Sequence, residues 1–194
     1  MNVHILGDGS FGSFLKEELP KFGFKITSKC KTVILAVPIS AYETLGKEYA
    51  KFGYHLINVC SVQEPSTNIL LKITKDVTSI HPLFGARTPT EKRNSILTRV
   101  TENNNKRESE FLYLFSKFCK ISCGMSPEEH DKLMAKTHGA ALLAAKQAKH
   151  FIEAAEDIPD ELIPNSFRLL REFVKTLDDM PSGTVESIMA NPYI

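Results

Sequence analysis

Three short segments of this chain hold the side chains that could do chemistry together. Gly7-Asp8-Gly9-Ser10-Phe11-Gly12 has the G-x-G-x-x-G spacing, preceded by an apolar run and followed by a helical pattern. Gly7 suits a tight turn, Gly9 leaves room for a pyrophosphate at the backbone, and Gly12 lets helix and strand pack closely. The first-turn N–H groups, including those of Ser10 and Phe11, would face the phosphates at the positive end of the helix dipole. Taken alone, such a pattern is also compatible with an ordinary strand–helix turn. Asn58-Val59-Cys60-Ser61-Val62-Gln63 and Ser79-Ile80-His81-Pro82-Leu83-Phe84-Gly85 each close another apolar run. Ser61 and His81 therefore fall at strand exits, where open α/β sheets bind ligands. An imidazole there can take a proton from a substrate hydroxyl as hydride leaves for a cofactor. The alternative is a hydrogen-bonded structural histidine.

The cofactor reading depends on the end of the second strand. An NAD-preferring site carries an acid about twenty residues beyond the first glycine, on the ribose 2′-hydroxyl. Here that place holds Thr27-Ser28-Lys29, and the next acid is Glu43. Hydroxyls and a lysine suit a 2′-phosphate, so NADP is expected, with NAD as the alternative and a solvated basic turn as the plain one. Val37-Pro38, closing the third strand, could flank the nicotinamide.

These residues need a sheet to position them. Strands are expected at Asn2–Leu6, Phe24–Thr27, Thr32–Val37, His55–Cys60, Val77–Ile80, Ile96–Val100 and Ile121–Cys123. Helices are expected at Phe11–Lys21, Ser40–Phe52, Ser66–Lys72 and Arg107–Cys119. Apolar strands alternating with amphipathic helices give an α/β fold, a Rossmann-type mostly parallel sheet. Too few residues separate the second strand from the third for the usual crossover helix. The polar run Glu102–Arg107 reads as a surface turn.

The composition changes near Met125. Residues 1–123 read as a dinucleotide-binding domain and residues 124–194 as a smaller all-helical substrate and dimerisation domain. Ser126-Pro127-Glu128-Glu129 is a capping box with proline at the first helical position. The helix beyond it should place Leu133, Thr137, Ala140, Ala141, Ala144, Ala148, Phe151, Ile152 and Ala155 on one face. Asn165 or Ser166 should cap a second helix, and Thr184–Ala190 should form a third. Three such helices make a poor independent core. A monomer should leave Leu142, Leu143, Phe151, Phe173 and Val174 poorly covered, so a homodimer through the helical domain is expected.

The chain has 194 residues, 42% of them hydrophobic, and a net charge of +1. That balance gives no support to a nucleic-acid or membrane-surface partner. No apolar run approaches the roughly twenty residues of a membrane span. Cys30, Cys60, Cys119 and Cys123 show no metal-ligand spacing and suit a reducing compartment. With Met1 leading directly into the first strand, a cytoplasmic protein with a small-molecule substrate is expected.

His81-Pro82-Leu83-Phe84-Gly85, together with Ser126-Pro127-Glu128-Glu129-His130-Asp131-Lys132-Leu133-Met134-Ala135, resembles the prephenate/arogenate dehydrogenase family of tyrosine biosynthesis. The order of segments fits too, from the glycine loop to about Pro192. The resemblance implies an NAD(P)-dependent oxidative decarboxylation: hydride leaves the ring carbon bearing the hydroxyl, carboxylate leaves as CO₂, and the ring becomes aromatic. It implies that His81 is the catalytic histidine and that Ser61 orients it and the hydroxyl. It makes Arg168 the arginine that binds a substrate carboxylate, with Arg171 as the alternative, and His138 a substrate-side histidine. It gives His130 and Asp131 no evident chemistry, and they read as interdomain structure. The chain departs from the family in having Gln63 where many members have lysine. Gly139-Ala140-Ala141 also follows His138 without the family's Leu-Pro-His. Two other readings stay open: another small NADP oxidoreductase acting on an imine or deazaflavin, and a non-catalytic NADP-binding protein.

Overall fold

Strand β1 (Asn2–Leu6) alternates buried and half-buried side chains from Val3 onward, and Gly7 turns the chain into helix α1 (Ser10–Glu18). This is a computed structural model, and it describes residues 1–101 and 105–194. The elements after α1 are β2 (Lys25–Ile26), β3 (Thr32–Leu35), α2 (Tyr42–Ala50), β4 (His55–Asn58), α3 (Gln63–Leu71) and β5 (Val77–Pro82). They continue with β6 (Asn94–Arg99), α4 (Lys106–Phe118), β7 (Lys120–Ser122), α5 (Pro127–Met134), α6 (Ala140–Glu153), α7 (Asn165–Asp178) and α8 (Ser182–Met189). The chain divides into two compact units, Met1–Asp131 and Lys132–Ile194.

The first unit is a seven-stranded sheet in the order β2-β1-β3-β4-β5-β6-β7. Strands β1 to β5 pair in parallel, β6 runs antiparallel to β5, and β7 is parallel to β6. The fold is thus the Rossmann-type, mostly parallel sheet that the alternation of elements predicts. The β2–β3 connection, Thr27 to Lys31, holds no helix, as its length requires. Since β2 and β3 lie on opposite sides of β1, the strand order reverses there and opens a crevice at the carboxyl ends of β1 and β3.

Both sheet faces are covered, so the central strands are buried on both sides. Val3, Ile5, Ile34 and Ile57 pack with Phe14 and Leu15 of α1 and Phe111, Phe115 and Phe118 of α4. Val33, Leu35 and Leu56 pack on the other face with Tyr42 of α2 and Leu70 of α3. The Glu102–Arg107 run is not wholly a turn. Residues 102–104 lie outside the described residues, while Asn105 caps α4 by accepting a hydrogen bond from the Arg107 N–H at 3.0 Å, and Lys106 already belongs to the helix.

The second unit is all helical. Its first helix is interrupted by a π-helical turn, Ala135–Gly139, before α6. A π turn adds a residue and rotates the following helix by about 100° relative to an unbroken one. The expected stripe survives only in part: Ala148 and Ala155 are buried and Ile152 is half-buried, but Ala140, Ala144 and Phe151 are exposed, and Leu142 and Ala145 are buried in their place. Leu142 at 4% and Val174 at 5% exposure are covered within one chain, contrary to expectation, whereas Leu143, Phe151 and Phe173 remain exposed. Ala145 and Ala148 of α6 pack with Val174 of α7. Neither Asn165 nor Ser166 caps α7, because the helix already starts at Asn165 and Pro164 precedes it. Among the described residues, no helix is long and apolar enough to cross a membrane.

Candidate active site

The glycine turn is built by close approach. Gly7 has φ +116°, and a β-carbon there would lie 2.0 Å from the Ala36 carbonyl oxygen at the end of β3. A β-carbon on Gly12 would lie 2.4 Å from the Gly7 oxygen. Gly9 differs: nothing lies within 4 Å of the position its β-carbon would take. It caps α1 without a side-chain hydrogen bond, and the helix has no acid in its first turn. Ser10 is exposed, while Phe11 leans on Phe14 and Phe84 at centroid distances of 5.9 and 6.2 Å. Asp8, beside the turn, is paired with Lys16 at 2.6 Å. An open helix N-terminus with its neighbouring carboxylate neutralised fits the pyrophosphate of a dinucleotide. Val37 and Pro38 follow β3 directly, and the Val37 Cγ1 lies 3.4 Å from the β-carbon position of Gly7.

Thr27 follows β2, and its N–H donates to the Val3 carbonyl at 2.9 Å. Its Oγ1 accepts a hydrogen bond from the Lys29 N–H at 3.1 Å, which leaves the hydroxyl proton to donate. Ser28 and Lys29 are exposed.

Ser61 lies half-buried in the turn from β4 to α3. The turn is fixed by Asn58, whose Oδ1 accepts from the Cys60 N–H and the Tyr42 hydroxyl, both at 2.9 Å. Asn58 Nδ2 donates to Ser66 Oγ at 2.8 Å. Gln63 is buried. Its Nε2 donates to the Cys60 carbonyl at 2.6 Å, and its Oε1 accepts from Thr98 at 2.6 Å, so it latches the turn to β6. Burial pushes the Cys60 thiol up to about 11, which keeps it protonated and a poor nucleophile.

His81 is a buried residue of β5, opposite Ile96 of β6. Its neighbour in sequence, Phe84, joins the aromatic cluster of Phe14 and Phe118 and so ties the strand exit to α1. A hydrogen bond joins His81 Nδ1 to His130 Nε2 at 2.9 Å; Ser61 takes no part in it. His130 Nδ1 in turn meets Asp131 Oδ1 at 2.7 Å. Asp131 accepts the Gln63 N–H on Oδ1 and the Glu64 N–H on Oδ2, each at 2.8 Å, and so caps α3 from a distant part of the chain. Both residues are fully buried. The family resemblance left them without chemistry, yet His130 is bonded directly to the candidate base and Asp131 to His130. The capping box that places them does form: Ser126 Oγ accepts the Glu129 N–H, and Glu129 Oε2 accepts the Ser126 N–H.

The remaining candidates lie in the helical unit. His138 sits in the π turn, where burial holds its imidazole below the usual histidine range and hence neutral. Such turns recur at functional sites. Arg168 donates to the carbonyls of Asp160 and Ile163 at 2.6 and 3.2 Å. Arg171 binds the Asp160 carboxylate at 3.0 Å. Both guanidiniums thus brace the loop before α7, and the Arg168 bonds engage two of its five N–H donors.

No family model matches this sequence. A Methanocaldococcus jannaschii protein named "Probable arogenate/prephenate dehydrogenase" is 29% identical over 131 residues, 63% of this chain. The match spans 29% of that protein, so the chain covers less than a third of its length. A prephenate dehydrogenase from A. aeolicus, crystallised with hydroxyphenyl propionate and NAD⁺, superposes with a TM-score of 0.66 at 16% identity. The superposition covers 98% of this chain and 82% of that one. Synechocystis arogenate dehydrogenase gives a TM-score of 0.66 at 15% identity, over 98% of this chain and 84% of that one. These neighbours are dehydrogenases, and the resemblance carried by the His-Pro-Leu-Phe-Gly and Ser-Pro-Glu-Glu-His-Asp segments is matched by a fold shared with prephenate and arogenate dehydrogenases.

Proposed function

We propose that this chain is an NADP-dependent dehydrogenase that oxidatively decarboxylates a cyclohexadienol of the prephenate or arogenate type. The observation that carries the reading is His81: a buried imidazole at the carboxyl end of a strand in the glycine-turn unit, with one ring nitrogen held by His130. The pyrophosphate binds at the N-terminus of α1 over Gly9, with Ser10, Phe11 and Gly12 in the first turn. Thr27, Ser28 and Lys29 hold the 2′-phosphate, and Val37 and Pro38 flank the nicotinamide. When bound, NADP⁺ supplies the hydride acceptor.

His81 takes the proton of the ring hydroxyl through its second nitrogen, Nε2, and Ser61 orients that hydroxyl. As the proton leaves, the carbinol carbon can become a carbonyl carbon. Loss of CO₂ then returns an electron pair to the ring, which becomes a phenol. Arg168 binds a substrate carboxylate, a role that a planar guanidinium fills well, and His138 lines the substrate side. Two helical units pair to form a homodimer.

A matrix of absorbance assays at the NADPH band, crossing prephenate and arogenate with NADP⁺ and NAD⁺, tests the proposal. Reduction of NADP⁺ with one of the two substrates is expected. Tight NADP⁺ binding with no turnover of either would instead identify a nucleotide-binding protein. Turnover confined to an imine or a deazaflavin would identify another kind of oxidoreductase.

A further inference from the structure

His130 and Asp131 are fixed more firmly than a structural contact between helix and sheet requires. The Asp131 carboxylate receives the Gln63 and Glu64 backbone N–H groups and a ring N–H of His130. The two backbone donors belong to the start of α3, so the carboxylate is held on both oxygens and cannot rotate away. A carboxylate that only accepts requires His130 Nδ1 to carry a proton. A neutral His130 then presents a bare Nε2 to His81, 2.9 Å from His81 Nδ1. For that contact to be a hydrogen bond, His81 must place its proton on Nδ1. Its Nε2 is then the lone-pair nitrogen.

We propose that His130 and Asp131 are positioning residues that lock His81 in the Nδ1–H tautomer, which puts its lone pair on Nε2, the nitrogen that would accept a substrate proton. The catalytic consequence rests on the functional reading above; the tautomer itself does not. The logic is that of a base oriented by a buried carboxylate, here acting through an intervening imidazole. The arrangement also gives charge support. When His81 becomes an imidazolium, the Asp131 carboxylate stands fixed beyond His130 in the same hydrogen-bonded series, and no water molecule need rearrange to provide it.

The test is nuclear magnetic resonance of the full chain labelled with ¹⁵N-histidine, read without substrate or cofactor. The chain has six histidines, so His81→Asn and His130→Gln spectra assign the two rings. Two-bond couplings to the ring carbons' protons distinguish a protonated from a bare nitrogen. The expected result is His81 and His130 both protonated on Nδ1 and bare on Nε2. A His81 ring with its proton on Nε2 would overturn the proposal, whatever reaction the protein catalyses.

Two variants extend the test. Asp131→Ala removes the acceptor at His130 Nδ1, so His130 can carry its proton on Nε2 and donate to His81. The His81 proton should then shift toward Nε2, and kcat should fall at least about tenfold with little change in KM. His130→Gln places an amide oxygen near the former Nε2 position and should preserve the His81 tautomer, whereas His130→Leu should not. If both His130 variants gave the same His81 spectrum as the unmodified chain, the lock would be refuted. If the tautomers behave as expected but no cyclohexadienol is turned over, the functional reading fails and the positioning stands.

Discussion

Gly9 and Gly12 lie three residues apart in the same turn, yet substitutions there should act in opposite ways. An alanine β-carbon at Gly12 would meet the Gly7 carbonyl oxygen at 2.4 Å and its carbon at 2.9 Å, both backbone atoms that cannot swing aside. Ordinary contact needs roughly an ångström more, so α1 must move off β1. Overpacking of this kind costs about 1–3 kcal/mol. The better helix propensity of alanine returns about 1 kcal/mol at most. With two rigid backbone atoms in the way the cost falls at the upper end of that range, so the net loss for Gly12→Ala is about 2 kcal/mol, or about 4–8 °C in Tm for a chain of this size. At Gly9, φ is −69°, open to any residue, and the β-carbon position is empty to 4 Å. Serine is also a better helix cap than glycine, by a few tenths of a kcal/mol. Gly9→Ser should therefore melt at the same temperature or slightly higher. Its side chain would nevertheless occupy the phosphate approach and compete for the helix N–H groups, so NADP affinity should fall by about tenfold or more. Calorimetric melting and isothermal titration with NADP⁺ read both quantities. A Gly9→Ser variant that bound NADP⁺ as tightly as the unmodified chain, or a Gly12→Ala variant with unchanged Tm, would refute the reasoning.

Thr27→Asp should reverse or erase the preference for NADP over NAD by repelling the 2′-phosphate, and equal affinities in the unmodified chain would remove the basis for that preference. His55 is buried, with Nε2 on Thr78 Oγ1 at 2.8 Å and Nδ1 without a partner. Burial lowers its pKa, against the opposing pull of Asp76 and Glu108, with Arg107 adding to the lowering. The unfolded chain, with an ordinary pKa of about 6.5, binds this proton first, so stability is full above that pH and falls below it by up to about 1.4 kcal/mol per pH unit. Urea midpoints measured from pH 7.5 down to pH 5.5 should show the loss, and His55→Gln should flatten it; an identical slope in the variant would assign the loss elsewhere. Phe151 is 63% and Leu169 57% exposed on the helical unit. Sedimentation should therefore show a dimer that Phe151→Asp dissociates, whereas a fully active monomer at micromolar concentration would rule the pairing out.

The sheet was legible because its signals are local. Each apolar run reports its own burial, and the short link after β2 excludes a crossover helix by length alone. The antiparallel β6 was readable in principle, since residues 83–93 offer only a 3₁₀ turn between β5 and β6. The π turn was not. Nothing in Ala135 to Gly139 marks an added residue, and its phase is set by packing, with the Ile194 side chain seated over Gly139. His81 could be singled out by its place after an apolar run. Its link to His130, 49 residues away, could not, nor could the bonds of Asp131 to Gln63 and Glu64, 68 and 67 residues away. The available clue was helical phase: after the capping box at Ser126, positions 130 and 131 carry a buried-side histidine and aspartate where a surface helix would carry apolar residues.

The central claim is that His81 is the base of a dehydrogenase, and turnover of His81→Asn beside NADP⁺ binding tests it most directly. The account predicts an NADP⁺ Kd and a melting temperature near those of the unmodified chain, with kcat on the active cyclohexadienol lowered by at least about a hundredfold. A His81→Asn enzyme that turned over at the unmodified rate would contradict it.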